Sequence, residues 1–164
     1  MQKHKLKYVD EMVCFQEVPD ETTLSFSISN CPHHCPGCHS AYLAEDVGIP
    51  LLDVLRGRLE FHKGLITCVL FMGGDDEAQR DELVECVKLC KEYGLKTALY
   101  SGAVALPASL WDIFDYIKVG PYKEELGGLD KPTTNQRMYR HEPDSSWSDI
   151  TSNFWKKGLK VEKL

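Results

Sequence analysis

The feature that most constrains the fold is the run Leu65-Ile66-Thr67-Cys68-Val69-Leu70-Phe71, which is apolar at almost every position and rich in β-branched residues. A strand that faces water on one side alternates apolar and polar residues, so an unbroken run of this length predicts a strand buried on both faces, as in a parallel sheet. The surrounding pattern agrees. Pro50 stands where a first helical residue is favoured, and Leu51, Leu52, Val54, Leu55 and Leu59 recur at helical spacing, which predicts a helix over 50–62. After the run, Asp76 and Gln79 read as a capping-box-like start to a helix over about 76–93. Its face is Leu83, Val87 and Cys90 with Val84 and Cys86 beside them, and Gly94 is its C-cap. Leu95 to Tyr100 reads as a strand, Pro107 to Phe114 as a short helix and Tyr116 to Val119 as a strand. Strands and helices alternating in this way give βαβ units with right-handed crossovers. Leu24, Phe26 and Ile28 alternate with serines and predict a half-buried strand earlier in the chain. Met12-Val13-Cys14-Phe15 reads as an edge strand or packing arm.

The chain of 164 residues fits one domain with a core over about 20–142 and a C-terminal covering tail over about 143–164. It needs no disulfides to hold a core. Seven cysteines, no apolar leader before Lys3-His4-Lys5-Leu6-Lys7 and no run near the roughly 20 residues of a membrane span predict a cytoplasmic protein without a membrane partner. The net charge of −6 and the absence of a basic patch argue against nucleic acid as a partner.

Chemistry concentrates in Cys31-Pro32-His33-His34-Cys35-Pro36-Gly37-Cys38-His39, directly after the first core strand. The prolines and Gly37 keep this C-x3-C-x2-C run out of a helix, so its three thiols can converge on one centre. Three readings stand open on the spacing. Cys35 and Cys38 could form a thioredoxin-like dithiol, the thiols and histidines could bind zinc, or the three cysteines could hold an iron–sulfur cluster with one iron open to an outside ligand. Cys14 reads as a buried small hydrophobe, and Cys86 and Cys90, one helical turn apart, read as core rather than as a metal pair. At the end of the continuous apolar strand, Gly73-Gly74-Asp75 is either a plain turn or a place where a ligand approaches the backbone closely. Ligands in parallel sheets collect beyond the carboxyl ends of the strands, where the cysteine loop, Gly73-Gly74-Asp75, Ser101-Gly102 and Lys118 all fall.

The cysteine spacing resembles that of the radical S-adenosylmethionine (SAM) enzymes, and Gly73-Gly74-Asp75 stands where that superfamily carries a Gly-Gly-Glu-like turn. With Lys118-Val119-Gly120-Pro121-Tyr122 and Asn135-Gln136-Arg137, the stretch from about 8 to 142 resembles the activating proteins of anaerobic (class III) ribonucleoside-triphosphate reductases. The resemblance implies an incomplete radical SAM (β/α) barrel. Because a full barrel takes about 250 residues, it would be a parallel sheet of about five or six strands, open laterally. The implied cofactors are a [4Fe-4S] cluster on Cys31, Cys35 and Cys38 and SAM bound by Gly37, Gly73, Gly74, Asp75, Ser101 and Lys118. The implied reaction is reductive cleavage of SAM, with transfer of the radical to a backbone glycine of the reductase. The implied partners are the reductase and a flavodoxin or ferredoxin as electron donor. Activation of another glycyl-radical enzyme, such as pyruvate formate-lyase, is the alternative within the superfamily. Two positions depart from the superfamily pattern: Asp75 replaces Glu, and Gly37 replaces an aromatic residue before the third cysteine. Adenine would then meet backbone, or a ring such as Tyr42.

Overall fold

The computed structural model describes residues 5–31 and 45–155. These form an α/β fold on one mixed sheet of eight strands. In chain order its elements are β1 (Lys7–Cys14), β2 (Thr23–Ile28), β3 (Ile49–Pro50), α1 (Leu51–Phe61), β4 (Cys68–Met72), α2 (Arg80–Glu92), β5 (Lys96–Tyr100), α3 (Ala108–Trp111), β6 (Tyr116–Val119), β7 (Arg137–His141) and β8 (Trp147–Asp149), followed by a 3-10 turn (Thr151–Phe154). The spatial order is β3-β1-β2-β4-β5-β6-β7-β8. Parallel pairing links only β2, β4, β5 and β6, while β1 and β3 on one side and β7 and β8 on the other run antiparallel to their neighbours. The expected parallel sheet of five or six strands is thus corrected to a mixed sheet of eight with a parallel centre.

The physical reason is that the flanking strands are made by pairing rather than by an apolar pattern. Of the residues in β7 only Met138 is buried, yet β7 takes the free edge of β6 from Arg137 to Arg140. The segment read as a covering tail adds β8 to that edge. Beyond β8, Ile150 and Phe154 pack on the sheet.

Each crossover in the parallel centre steps to the next strand in the same direction, and α1, α2 and α3 all pack on one face. There Leu24, Phe26, Ile28, Val69, Phe71, Leu99 and Ile117 from the strands meet Leu51, Leu55 and Leu59 of α1, Leu83, Cys86, Val87 and Cys90 of α2, and Leu110 of α3. Phe71 lies between Phe26 and Phe114, with ring centroids 6.3 Å away on each side. The opposite face holds a smaller cluster, in which Cys68, Leu70, Ala98, Tyr116 and Met138 are covered by Val18 from the β1–β2 connection and by Ile150.

Three local expectations change. β2 is buried on both faces rather than half-buried, at every position but Ser27, and the polar Ser25 is accommodated because its hydroxyl donates to the Met12 carbonyl at 3.2 Å. Pro50 caps α1 instead of opening it. Helix α2 starts at Arg80 rather than near Asp76, since the Gln79 side chain donates to the Ser29 carbonyl at 3.2 Å instead of closing a capping box. Its other end is as expected. Gly94, at φ +71°, donates to the Lys91 carbonyl at 2.9 Å, and Leu95 donates to the Cys90 carbonyl at 3.1 Å, the two bonds of a Schellman motif.

Charged groups tie the sheet at its sides and at its amino end. Glu11 of β1 accepts from Arg58 Nε at 2.8 Å and lies 3.1 Å from His62 Nε2. Burial works to raise the Glu11 pKa, but the bonds from Arg58 and His62 outweigh it and hold the carboxyl below its usual range. At the amino ends of the strands the buried Glu21 accepts from Thr67 at 2.6 Å and Tyr116 at 2.9 Å and pairs with Lys96 at 3.3 Å.

Two outcomes check this packing. Phe71→Ala should cost about 3–5 kcal/mol in urea unfolding, whereas Met12→Ala, at an exposed position, should stay within about 0.5 kcal/mol. A carboxyl with a lowered folded pKa stabilises above its unfolded pKa and loses that contribution as pH falls through the folded value. Glu11→Gln should therefore lower stability at neutral pH and flatten the decline in acid, as read from unfolding midpoints across the pH range below about 5.

Candidate functional site

The parallel register builds a common rim. Ser27, Met72, Tyr100 and Lys118 are successive Cα partners across β2, β4, β5 and β6, so the four strands end at one level. Directly beyond that level come Ser29 to Cys31, Gly73 to Asp75, Ser101 and Gly120. Backbone bonds stitch these ends together. Gly73 N–H donates to the Tyr100 carbonyl at 3.0 Å, Ser101 N–H to the Lys118 carbonyl at 2.8 Å, and Ser29 N–H to the Lys7 carbonyl at 3.0 Å.

The rim carries two different environments. On the face away from the helices, Met72, Tyr100 and Lys118 floor a cleft of about 680 Å³, walled in part by Glu17, Gln136 and Trp155. The Lys118 ammonium stands 5.0 Å from the centroid of the Tyr100 ring, a cation–π arrangement. The Tyr100 hydroxyl donates to the Glu17 carbonyl, and burial raises the Tyr100 pKa, so the phenol stays neutral. Asp75 and Ser101 do not line this cleft. They are buried against each other, and the Ser101 hydroxyl donates to Asp75 Oδ2 at 2.7 Å.

Gly73 and Gly74 have φ of +110° and +91°, which favours glycine on conformational grounds. Packing adds a second reason at Gly74, where a Cβ would come within 2.7 Å of Leu6 Cδ1. What this turn offers a ligand is therefore its backbone.

The cysteines separate by environment. Cys14, Cys68, Cys86 and Cys90 are buried in the two clusters or beside them, whereas Cys31 is partly exposed at the rim. Burial pushes the Cys14 and Cys90 thiols up to about 12 and raises Cys68 and Cys86 further, which keeps all four as neutral thiols. The structure thus brings Gly73, Gly74, Asp75, Ser101, Lys118 and Cys31 to one rim. Cys35, Gly37, Cys38, the loop histidines and Tyr42 lie outside the described residues. Among the described residues alone, no group of three or more His, Cys, Asp or Glu side chains could hold a metal ion, and no helix is long and apolar enough to cross a membrane.

The sequence reading did not place Met72, Tyr100, Glu17 or Trp155 at this site. Met72 and Tyr100 were within reach of it, since each ends its strand beside the glycines or the serine. Glu17 was not, because only the fold of the β1–β2 connection over the sheet brings it there. No protein-family model matches the chain, and neither the curated proteins nor the solved structures gave a match.

Two measurements follow from this geometry. Metal-free protein alkylated under native conditions at pH 8 should be modified at Cys31 while Cys68, Cys86 and Cys90 react only after denaturation, as mapped by peptide mass spectrometry. Gly74→Ala should lower stability by about 1–3 kcal/mol, through φ strain and the Leu6 contact together, as read from thermal unfolding.

Proposed function

We propose that the protein is a radical SAM activase that generates a glycyl radical on an anaerobic ribonucleoside-triphosphate reductase, and that its sheet is the open part of a radical SAM (β/α) barrel. The observation that carries the reading is the sorting of cysteines. Among the described residues, the one cysteine left out of the apolar interior is Cys31, the first of the C-x3-C-x2-C run, three residues past the end of β2. It follows β2 on the rim where parallel α/β sheets bind ligands, one strand from the Gly73-Gly74 turn after β4, with the strand ends of Ser101 and Lys118 further along the same rim. The one-sided arrangement of the three helices also supports the reading, because a (β/α) barrel keeps its helices outside and its ligand face free.

The donor set suits the cofactor. Cys31, Cys35 and Cys38 would hold a [4Fe-4S] cluster as thiolates, and three ligands leave one iron for the amino and carboxylate groups of SAM. The bound cluster supplies one-electron chemistry to SAM, while the protein binds, orients and shields. In this reading the Gly73-Gly74 backbone meets the SAM amino group and Lys118 balances its carboxylate. The cleft beside Lys118 admits the reductase segment that carries the target glycine. A flavodoxin or ferredoxin would deliver the electron.

Protein purified without oxygen and reconstituted should be brown, carry about four irons per chain and lose them in Cys31→Ala, whereas Cys14→Ala and Cys90→Ala keep them. With a strong reductant it should convert SAM to methionine and 5′-deoxyadenosine. Colourless protein with stoichiometric zinc, or disulfide reduction that survives Cys31→Ala, would move the function to zinc binding or to a Cys35–Cys38 dithiol.

A further inference from the structure

Asp75 holds the acid position of the Gly-Gly-acid turn, yet its carboxylate faces protein. It is 7 % exposed, and the Ser101 hydroxyl that donates to it is 1 % exposed. A hydroxyl has one proton, and with that proton committed to Asp75 Oδ2 the Ser101 oxygen is left as an acceptor. It accepts the Ala103 N–H at 2.9 Å. The Ala103 carbonyl in turn accepts the Gly120 N–H at 2.7 Å. On the other side, Arg80 Nε donates to the Asp75 backbone carbonyl at 3.0 Å. One chain of bonds thus runs from the first residue of α2, through the turns after β4 and β5, to Gly120, the residue that follows β6.

We propose that Asp75 is a positioning residue, which sets the turns at the ends of β5 and β6 through Ser101 and Ala103, and does not itself contact the ligand's ammonium group. Its consequence for SAM binding rests on the function proposed above; the chain of bonds does not. A hydrogen bond to a carboxylate is a strong one, and removing its acceptor leaves a buried hydroxyl proton with no partner. Asparagine in the same position still offers an acceptor oxygen to Ser101 but carries no charge. A positioning role therefore tolerates Asp75→Asn, while direct pairing with an ammonium does not.

The test compares Asp75→Asn, Asp75→Ala, Ser101→Ala and the parent as full chains with reconstituted iron. Hydrogen exchange of the peptides containing Ala103 and Gly120 is read by mass spectrometry, and SAM affinity by equilibrium dialysis. The expected result is that Asp75→Asn matches the parent within about twofold in both readouts. Asp75→Ala and Ser101→Ala should each speed exchange and weaken SAM binding by about tenfold, and the double alanine variant should be no worse than either single one. If Asp75→Asn loses SAM binding as fully as Asp75→Ala while exchange is unchanged, the acid pairs with the ligand and the positioning role is overturned. If the parent binds no SAM, the proposed function falls, and exchange alone decides: faster exchange in Asp75→Ala, returned to the parent rate in Asp75→Asn, supports the positioning role, and unchanged exchange refutes it. Should Asp75→Ala not fold, Ser101→Ala breaks the same chain from its other partner and carries the comparison.

Discussion

The structure depends on one topological constraint. Parallel neighbours cannot be joined by a tight turn, so each step from β2 to β4 to β5 to β6 needs a crossover. Right-handed crossovers that always step in the same direction place every helix on the same face. The larger core forms there, around Phe26, Phe71 and Phe114. Among the described residues the other face receives no helix, and it is covered by the β1–β2 connection with Val18 and by the 3-10 turn with Ile150 and Phe154. Irregular segments cover a sheet less completely than helices do. The gap they leave is the cleft over Met72, Tyr100 and Lys118. Core, cleft and rim thus share one cause.

How much of this was legible in the sequence follows from where each signal resides. Strand β4 and helix α2 declare themselves because burial on two faces, or on one helical stripe, dictates residue type position by position. Strand β7 reads Arg-Met-Tyr-Arg-His and declares nothing, since its conformation comes from the free edge of β6. The serines of β2 mislead for a related reason. Small hydroxyl residues look solvent-facing, but Ser25 is buried and its hydroxyl is satisfied by the Met12 carbonyl of β1, a contact that no local pattern encodes. Asp76 and Gln79 have the spacing of a capping box, and Gln79 is claimed instead by a carbonyl fifty positions earlier in the chain. At the site, the rim positions could be counted from strand ends. The pairing of Asp75 with Ser101 could not be, because it depends on which face two turns present to each other.

The same divide governs the cysteines. Type and spacing single out the C-x3-C-x2-C run, but the remaining thiols are made unreactive by surroundings rather than by spacing. Cys86 and Cys90 have the separation of a helical metal pair, and their burial among Leu83, Val87 and the strands raises both thiol pKa values instead. A thiol that stays protonated is a poor ligand and a poor nucleophile.

Strand β1 lies outside the span read as the core, yet it roots the cysteine segment. The chain leaves β2 through Asn30, whose φ of +61° is left-handed. Asn30 N–H then donates to the Glu45 carbonyl at 3.1 Å, and its side chain donates to Asp46 at 2.9 Å. Asp46 is held by Lys7 of β1 at 3.2 Å, and Lys7 also accepts the Ser29 N–H. The two ends of the segment therefore meet at one point. Bringing two chain positions together across an intervening segment carries an entropic cost that grows only slowly with the segment's length. Asn30, Asp46 and Lys7 help to meet that cost where the two ends come together. An antiparallel strand on the far side of β2 is thus as necessary to the rim as the parallel strands that define it.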